Sequence, residues 1–131
     1  MSEEWIRKAV DQFVLNEIDS VSHLEALLML WNNRPKPWTV EQMAKALYVA
    51  PPAAQGILQD LARRGLIVAG PDPDHYHYES QSEDRDALMA SVDYVYRREL
   101  VRVSQMIHGK GPSSVREFAR AFRFTKEKDK E

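Results

Sequence analysis

Seven prolines set the outer limits of what this 131-residue chain can fold into. Six come in close pairs, at Pro35 and Pro37, Pro51 and Pro52, and Pro71 and Pro73, and the seventh is Pro112. Proline lacks a backbone N–H and biases the preceding residue away from helix, so each site marks an element boundary. Gly65, Gly70, Gly109 and Gly111 add further breaks. The chain is thereby cut into short elements joined by tight turns, with one long uninterrupted stretch between Pro73 and Pro112. A length of 131 residues suffices for one domain with a core of its own.

Between these breaks the apolar residues recur at helical spacing. Ser2 is a good N-cap for a first helix. Glu3 and Glu4 favour its dipole, Trp5, Ile6, Ala9, Val10 and Phe13 form one stripe, and the helix ends near Asn16. Ser22-His23-Leu24-Glu25 has the form of a capping box ahead of Leu24, Leu27, Leu28 and Trp31. Thr39 and Gln42 form a second box, with Trp38 and Met43 placed as a hydrophobic staple. Val40, Met43, Ala44 and Leu47 then give the i, i+3, i+4, i+7 face. After the turn Tyr48-Val49-Ala50, Pro51 opens a helix with Ala54, Ile57, Leu58 and Leu61 on one side and Gly65 at its end. Ala44, Leu47, Ile57, Leu58 and Leu61 are expected to be buried together.

Leu66–Val68 and His75–Tyr78 read as two short strands of a hairpin around the turn Gly70-Pro71-Asp72-Pro73-Asp74. Tyr76 and Tyr78 are expected to pack inward and the histidines to lie on the outer face. Ser80 and Glu83 suggest a third capping box, opening a helix from about Ser82 to His108 that would run roughly 40 Å. A short last helix carries Val115, Phe118, Ala119 and Phe122, and the tail from Thr125 is a charged, unanchored run. The expected divisions are an N-terminal helix (1–20), a central motif (21–80), the long helix with the short terminal one (81–124), and the tail (125–131).

Helix, capped helix, tight turn, helix, hairpin: this order resembles the winged helix-turn-helix superfamily. The resemblance is carried by Thr39-x-x-x-Met43-Ala44-x-x-Leu47 and by Ile57-Leu58-x-x-Leu61-x-x-x-Gly65-Leu66-Ile67. The long flanking helix is similar in layout to the dimerisation arm of MarR-like transcriptional regulators. The implied fold is mainly α, a winged helix-turn-helix with a small β-hairpin wing and a long flanking C-terminal helix. The implied function is regulator-like binding of duplex DNA.

The residues qualify that function. In such motifs the start of the second helix reaches base edges, and basic neighbours hold phosphates. Here Gln55 is the one side chain able to read a base, by a bidentate contact to adenine. Lys36, Lys45 and Arg34 are the candidate backbone contacts. No Arg or Lys occurs from Tyr48 to Ala62, and Asp72 and Asp74 occupy the wing tip. Between Val21 and Ser80 five basic residues face six acidic ones, the reverse of a DNA-reading surface. Any DNA contact is expected to be shallow and electrostatic. The alternative is a winged-helix scaffold turned into a protein–protein adaptor, with another regulatory protein as partner. From Gly109 onward seven basic residues outnumber four acidic ones, with Arg116, Arg120 and Arg123 along one face: a solvated helix face or a second contact site.

Met89, Val92, Tyr96, Leu100, Val103 and Ile107 form a stripe on the long helix that a small core would leave partly uncovered. They are therefore the candidate homodimer interface. Arg97, Arg98 and Arg102 beside it are expected to pair with Glu99, Asp93 or a partner chain.

Other functions find little support. The chain has no Cys, hence no disulfide, thiolate metal site or Cys nucleophile. No G-x-S-x-G, P-loop or H-E-x-x-H motif occurs, so no enzyme and no cofactor is expected. His75 and His77 share a strand face near Asp72 and Asp74, a weak metal signal without a third fixed ligand, and no metal is assigned. Eighteen basic against twenty acidic residues give a net charge of −2, so only a local patch could attract nucleic acid. The longest apolar run, Ala26 to Trp31, is too short for a membrane span, and the first residues are acidic where a signal peptide is basic. A cytoplasmic protein is expected.

Overall fold

The structure, a computed structural model, describes residues 3–110. The elements run α1 (Glu3–Glu17), α2 (Val21–Asn32), β1 (Trp38–Thr39), α3 (Val40–Leu47), α4 (Pro51–Arg63), β2 (Val68–Ala69), β3 (His75–His77), α5 (Glu83–Arg98) and α6 (Leu100–His108). The strands form one antiparallel sheet in the order β1-β3-β2. Trp38 lies opposite Tyr76 and Thr39 opposite His75, while Val68 pairs with His77 and Ala69 with Tyr76. This is a mainly helical winged-helix architecture. The third strand, β1, is an addition to the hairpin expected from sequence. Two residues are too few to show strand periodicity, and only pairing with β3 defines them.

Packing centres on α2. Leu24, Ala26, Leu27, Leu28, Leu30 and Trp31 are all buried, the pattern of a helix covered on most sides. One continuous cluster joins them to Val10, Phe13 and Val14 of α1, to Ile57, Leu58 and Leu61 of α4, and to residues of α5 and α6. Each fully buried Leu or Val contributes about 2 kcal/mol relative to exposure. Trp31 meets Tyr78 edge-to-face, with ring centroids 5.1 Å apart and planes at 87°. The Tyr78 hydroxyl donates to Asp86 Oδ1 at 2.8 Å, fastening the base of the wing to α5. Burial, and then that carboxylate, push the phenol up to about 12. At the far end, Lys110 donates to the carbonyls of Val14 (3.0 Å) and Ile18, a cation placed against the C-terminal end of α1.

The two motif helices form as their local signals dictate. The Thr39 hydroxyl accepts from the Gln42 N–H at 3.1 Å, and the Gln42 side chain accepts from the Thr39 N–H at 2.9 Å. Pro51 occupies the first position of α4, where a missing N–H costs nothing. At its end Gly65 takes φ +75°, which side-chain-bearing residues seldom adopt. Its N–H bonds to the Ala62 carbonyl and that of Leu66 to the Leu61 carbonyl, both at 3.0 Å, so the chain turns sharply towards β2.

Elsewhere the boundaries differ from expectation. The cap of α2 is Ser20, not Ser22: its hydroxyl accepts from the His23 N–H at 3.2 Å. The cap of α5 is Ser82, not Ser80, accepting from the Arg85 N–H at 3.1 Å. Gln81 donates to the Gly65 carbonyl at 2.7 Å, a tertiary bond that holds the chain outside the helix until Ser82. The wing strands are shorter and shifted, at Val68–Ala69 and His75–His77. Leu47 is only half-buried, whereas Ala44, Ile57, Leu58 and Leu61 are buried together as expected.

The largest correction concerns the long helix. It is two helices, broken at Glu99, whose φ −128° and ψ 45° are not helical. At 1.5 Å per residue α5 is about 24 Å long and α6 about 14 Å. No Gly or Pro stands at the break. Glu99 instead sits between two arginines, accepting from Arg7 at 2.6 Å and Arg102 at 2.9 Å. The break lets both halves lie against the core, so Met89, Val92, Tyr96, Val103 and Ile107 are all buried within the one chain. The expectation that this stripe stays uncovered is thereby corrected: of its six residues only Leu100 is exposed, at 51%. The expected cap at Ser2, the short last helix and the charged tail lie outside the described residues.

Candidate nucleic-acid interface

α4 buries Ala54, Ile57, Leu58 and Leu61, and the helical period therefore turns Pro51, Pro52, Ala53, Gln55 and Gln59 outward. Gln55, the expected base reader, is exposed near the start of that helix, where a recognition helix enters a groove. Lys45 lies in the last turn of α3, and Lys36 in the link between α2 and β1; both are exposed. No ion pair holds either lysine among the described residues. Arg34 behaves differently. Its guanidinium carbon lies 3.5 Å from the centre of the Trp31 ring, and Nη1 donates to the Trp31 carbonyl at 2.6 Å. Stacking and that bond tie Arg34 to the end of α2, which limits its reach towards a phosphate.

The wing bears out its expected facing. Tyr76 and Tyr78 are buried, while His75 and His77 are half-exposed. His75 Nδ1 lies 2.8 Å from the Pro73 carbonyl, and no metal-ligand cluster forms at the wing among the described residues. Asp72 and Asp74 are exposed at the tip, and the Asp74 carbonyl accepts from the Val40 N–H at 3.1 Å. The acidic tip thus stands beside the N-terminus of α3, and it would meet a phosphate backbone with like charge.

Sequence reasoning missed one residue of this face. Tyr48 closes α3 in the left-handed conformation, φ 58°, and is 95% exposed. The position is one that Gly or Asn ordinarily takes, so the residue type gave no warning. Tyr48, Lys45, Ala44, Val49 and Pro51 line a shallow concavity at the helix-turn-helix corner. Its phenol can stack on a base or a partner side chain and can donate a hydrogen bond.

On the opposite side of α2 the arginines are engaged. Arg97 bonds Asp93 at 3.0 Å, and Arg102 bonds both Glu99 and Asp11 at 2.9 Å, as expected for the cluster. The hydrogen bond from Arg102 is the main cause holding the Glu99 carboxyl below its ordinary range; partial desolvation opposes it and Arg7 adds to it. Arg98 lies over the Tyr94 ring, 5.2 Å from its centre. A cavity of about 600 Å³ opens between α1 and α5 beside Ile6, Arg7, Tyr94 and Arg98. Trp5, Tyr94, Leu100 and Val101 are exposed apolar or aromatic residues of these helices. Arg116, Arg120 and Arg123 lie outside the described residues.

No protein-family model and no curated protein sequence matches the chain. Solved structures do match over nearly its whole length. MepR, a transcription regulator of the Staphylococcus aureus multidrug efflux pump MepA, superposes with a TM-score of 0.52 at 15% identity, over 98% of this chain and 92% of that one. MepR bound to ethidium bromide gives 0.51 at 15% identity, over 98% and 90%. RV1404 from Mycobacterium tuberculosis gives 0.51 at 18% identity, over 96% and 82%. The chain therefore shares the overall fold of these structures. Among the described residues no helix is long and apolar enough to cross a membrane.

Proposed function

We propose that this chain is a transcription-regulator-like protein that binds duplex DNA weakly as a homodimer. α4 faces the groove, Gln55 is the base reader, and Lys36 and Lys45 hold phosphates. The observation that carries the reading is the outer face of α3 and α4. It exposes Gln55 and Lys45 alongside Glu41, with exposed Lys36 in the link before β1, both lysines free of ion pairs among the described residues, on a fold whose solved neighbours include transcription regulators. Two lysines beside an acidic wing tip give a small electrostatic contribution, so affinity is low and its salt slope modest, about −0.9 for each phosphate neutralised. A two-fold copy doubles the cationic contacts. The dimer contact rests on Leu100 with Val101, Tyr94 and Trp5, each an apolar or aromatic residue more than half exposed on α1, α5 or α6.

The test is binding to random-sequence duplex DNA across a salt series. Replacing Lys36 and Lys45 with Ala is expected to weaken binding equally on all sequences and to flatten the log–log salt slope by about 1 for each phosphate no longer neutralised. Gln55→Ala is expected to leave the slope unchanged and remove any adenine preference. Absence of binding at low salt would overturn the reading. It would favour a protein-interaction adaptor, for which Tyr48 beside Pro51 and Pro52 is the specific supporting feature.

A further inference from the structure

Three metal-ligand side chains converge where α1, α2 and α4 meet. Asp19 lies in the turn before α2, His23 in the first turn of α2, and Asp60 in the last turn of α4. One ligand atom of each lies within 4.8 Å of the other two, and His23 Nε2 is 2.9 Å from Asp60 Oδ2. Tetrahedral zinc, with bonds of about 2.0–2.1 Å, holds its ligand atoms about 3.3 Å apart. Around an ion the ligand atoms would draw in by up to about 1.5 Å.

His23 and Asp60 have outer partners that aim them, whereas Arg64 occupies Asp19 and competes with an ion. Ser20 Oγ lies 2.6 Å from His23 Nδ1. Without an ion the Asp60 carboxylate accepts from Nε2–H; with one bound, Ser20 can accept from Nδ1–H while capping α2, which leaves the Nε2 lone pair for the ion. Arg63 bonds Asp60 through Oδ1 at 2.6 Å and leaves Oδ2 towards the histidine. Arg64 donates to both oxygens of Asp19, at 3.1 and 3.3 Å. The side chains of His23, Asp19 and Asp60 are 12%, 13% and 34% exposed, sheltered yet open to water.

We propose that Asp19, His23 and Asp60 bind one divalent transition-metal ion of the zinc class, with water completing the coordination. One imidazole with two carboxylates suits zinc better than magnesium or calcium, which prefer oxygen ligands alone. The ion replaces the hydrogen-bonding proton between His23 and Asp60 and links the start of α2 to the end of α4. The site stands on its own geometry, independent of DNA binding.

The test uses the full chain, freed of metal by chelation and titrated calorimetrically with Zn²⁺ alone. Co²⁺ absorption serves as a second readout, since its visible bands intensify in tetrahedral coordination. One ion per chain is expected. His23→Ala is expected to weaken binding at least 100-fold, and Asp19→Asn and Asp60→Asn at least tenfold each. Arg64→Gln is expected to tighten binding several-fold, because it releases both Asp19 oxygens. His75→Ala and His77→Ala are expected to leave binding unchanged. If His23→Ala unfolds, the two Asn variants and Arg64→Gln still decide. No saturable binding by the wild type overturns the site, as does equal affinity in the Asp variants or loss of binding on changing the wing histidines.

Discussion

Arginines are ion-paired on both sides of α2, Arg63 and Arg64 at the end of α4 holding Asp60 and Asp19, and the sides differ in the large apolar residues they expose. On the α1–α5–α6 side the arginines are consumed by the fold: Arg7 and Arg102 share Glu99, Arg102 also holds Asp11, and Arg97 holds Asp93. That side exposes polar and charged residues such as Glu4, Lys8, Gln12 and Arg98, and among them the apolar or aromatic Trp5, Leu15, Tyr94, Leu100 and Val101. On the α3–α4 side Lys36, Lys45 and Gln55 are exposed, and the apolar residues face inward apart from Tyr48 and the small residues opening α4. A charge already paired has little left for a partner, and an exposed apolar residue gains from one. The contrast is one of degree: both sides expose polar residues, and the α1–α5–α6 side adds several large apolar ones.

The largest expected effect breaks that contrast inside α6. Val103 is 1% exposed, so Val103→Asp buries a carboxylate without a partner and is expected to unfold the chain, costing well above about 3 kcal/mol. Leu100→Asp together with Val101→Asp, on the same helix but 51% and 65% exposed, is expected to leave the melting temperature nearly unchanged. Under the dimer reading it splits the homodimer in light scattering. A wild-type monomer at high micromolar concentration would remove α6 from any two-fold contact.

Next in size is Tyr78→Phe, at the seam between the wing and α5. It removes a buried hydrogen bond to a carboxylate and is expected to cost about 2 kcal/mol in denaturant unfolding. In the wild type one phenol is expected to titrate at about 12. Because the folded pKa lies above that of a free phenol, this contribution is complete below about pH 10 and is lost as pH rises through about 12. Ultraviolet titration that finds every tyrosine ionising near 10 would contradict the Tyr78–Asp86 contact.

A smaller effect sharpens the other side. Arg102 and Arg7 hold the Glu99 carboxyl low, so its contribution is present above the ordinary carboxyl pKa and fades as pH falls through the lowered one. Glu99→Gln is expected to lower the melting temperature modestly at neutral pH, with the gap to wild type closing in acid. A gap that persists at low pH would place the effect in helix geometry rather than charge. The smallest expected change in stability is that of Tyr48→Ala, within about 0.5 kcal/mol, because the side chain covers almost nothing. If binding of DNA or a protein partner is equally untouched, the corner of the motif has no part in recognition.

Comparing these regions also shows where local chemistry speaks for itself. Thr39, Gln42, Pro51 and Gly65 act on groups within a few residues of themselves, so α3, α4 and the exit to β2 could be read from the chain alone. The outward facing of Gln55 and the inward facing of Tyr76 and Tyr78 followed from helical and strand period. Ser22 and Ser80 carry the same signature as Thr39 yet do not cap; Ser20 and Ser82 do, Ser20 bonding both the His23 N–H and its ring, and Ser82 following a contact made elsewhere. In the case of Ser82 that contact is the bond from Gln81 to Gly65.

The amino-acid sequence thus determined the winged-helix order and the motif core, since each depends on interactions spanning one turn or one hairpin. Tertiary structure decided the break at Glu99, the burial of the α5–α6 stripe, the diversion of Arg34 onto Trp31, and the meeting of Asp19 and His23 with Asp60. In the break, Arg7 reaches Glu99 across 92 residues, and in the cluster His23 reaches Asp60 across 37. Such contacts exist only after α2 has gathered the other helices around it, and no local pattern of residues encodes them.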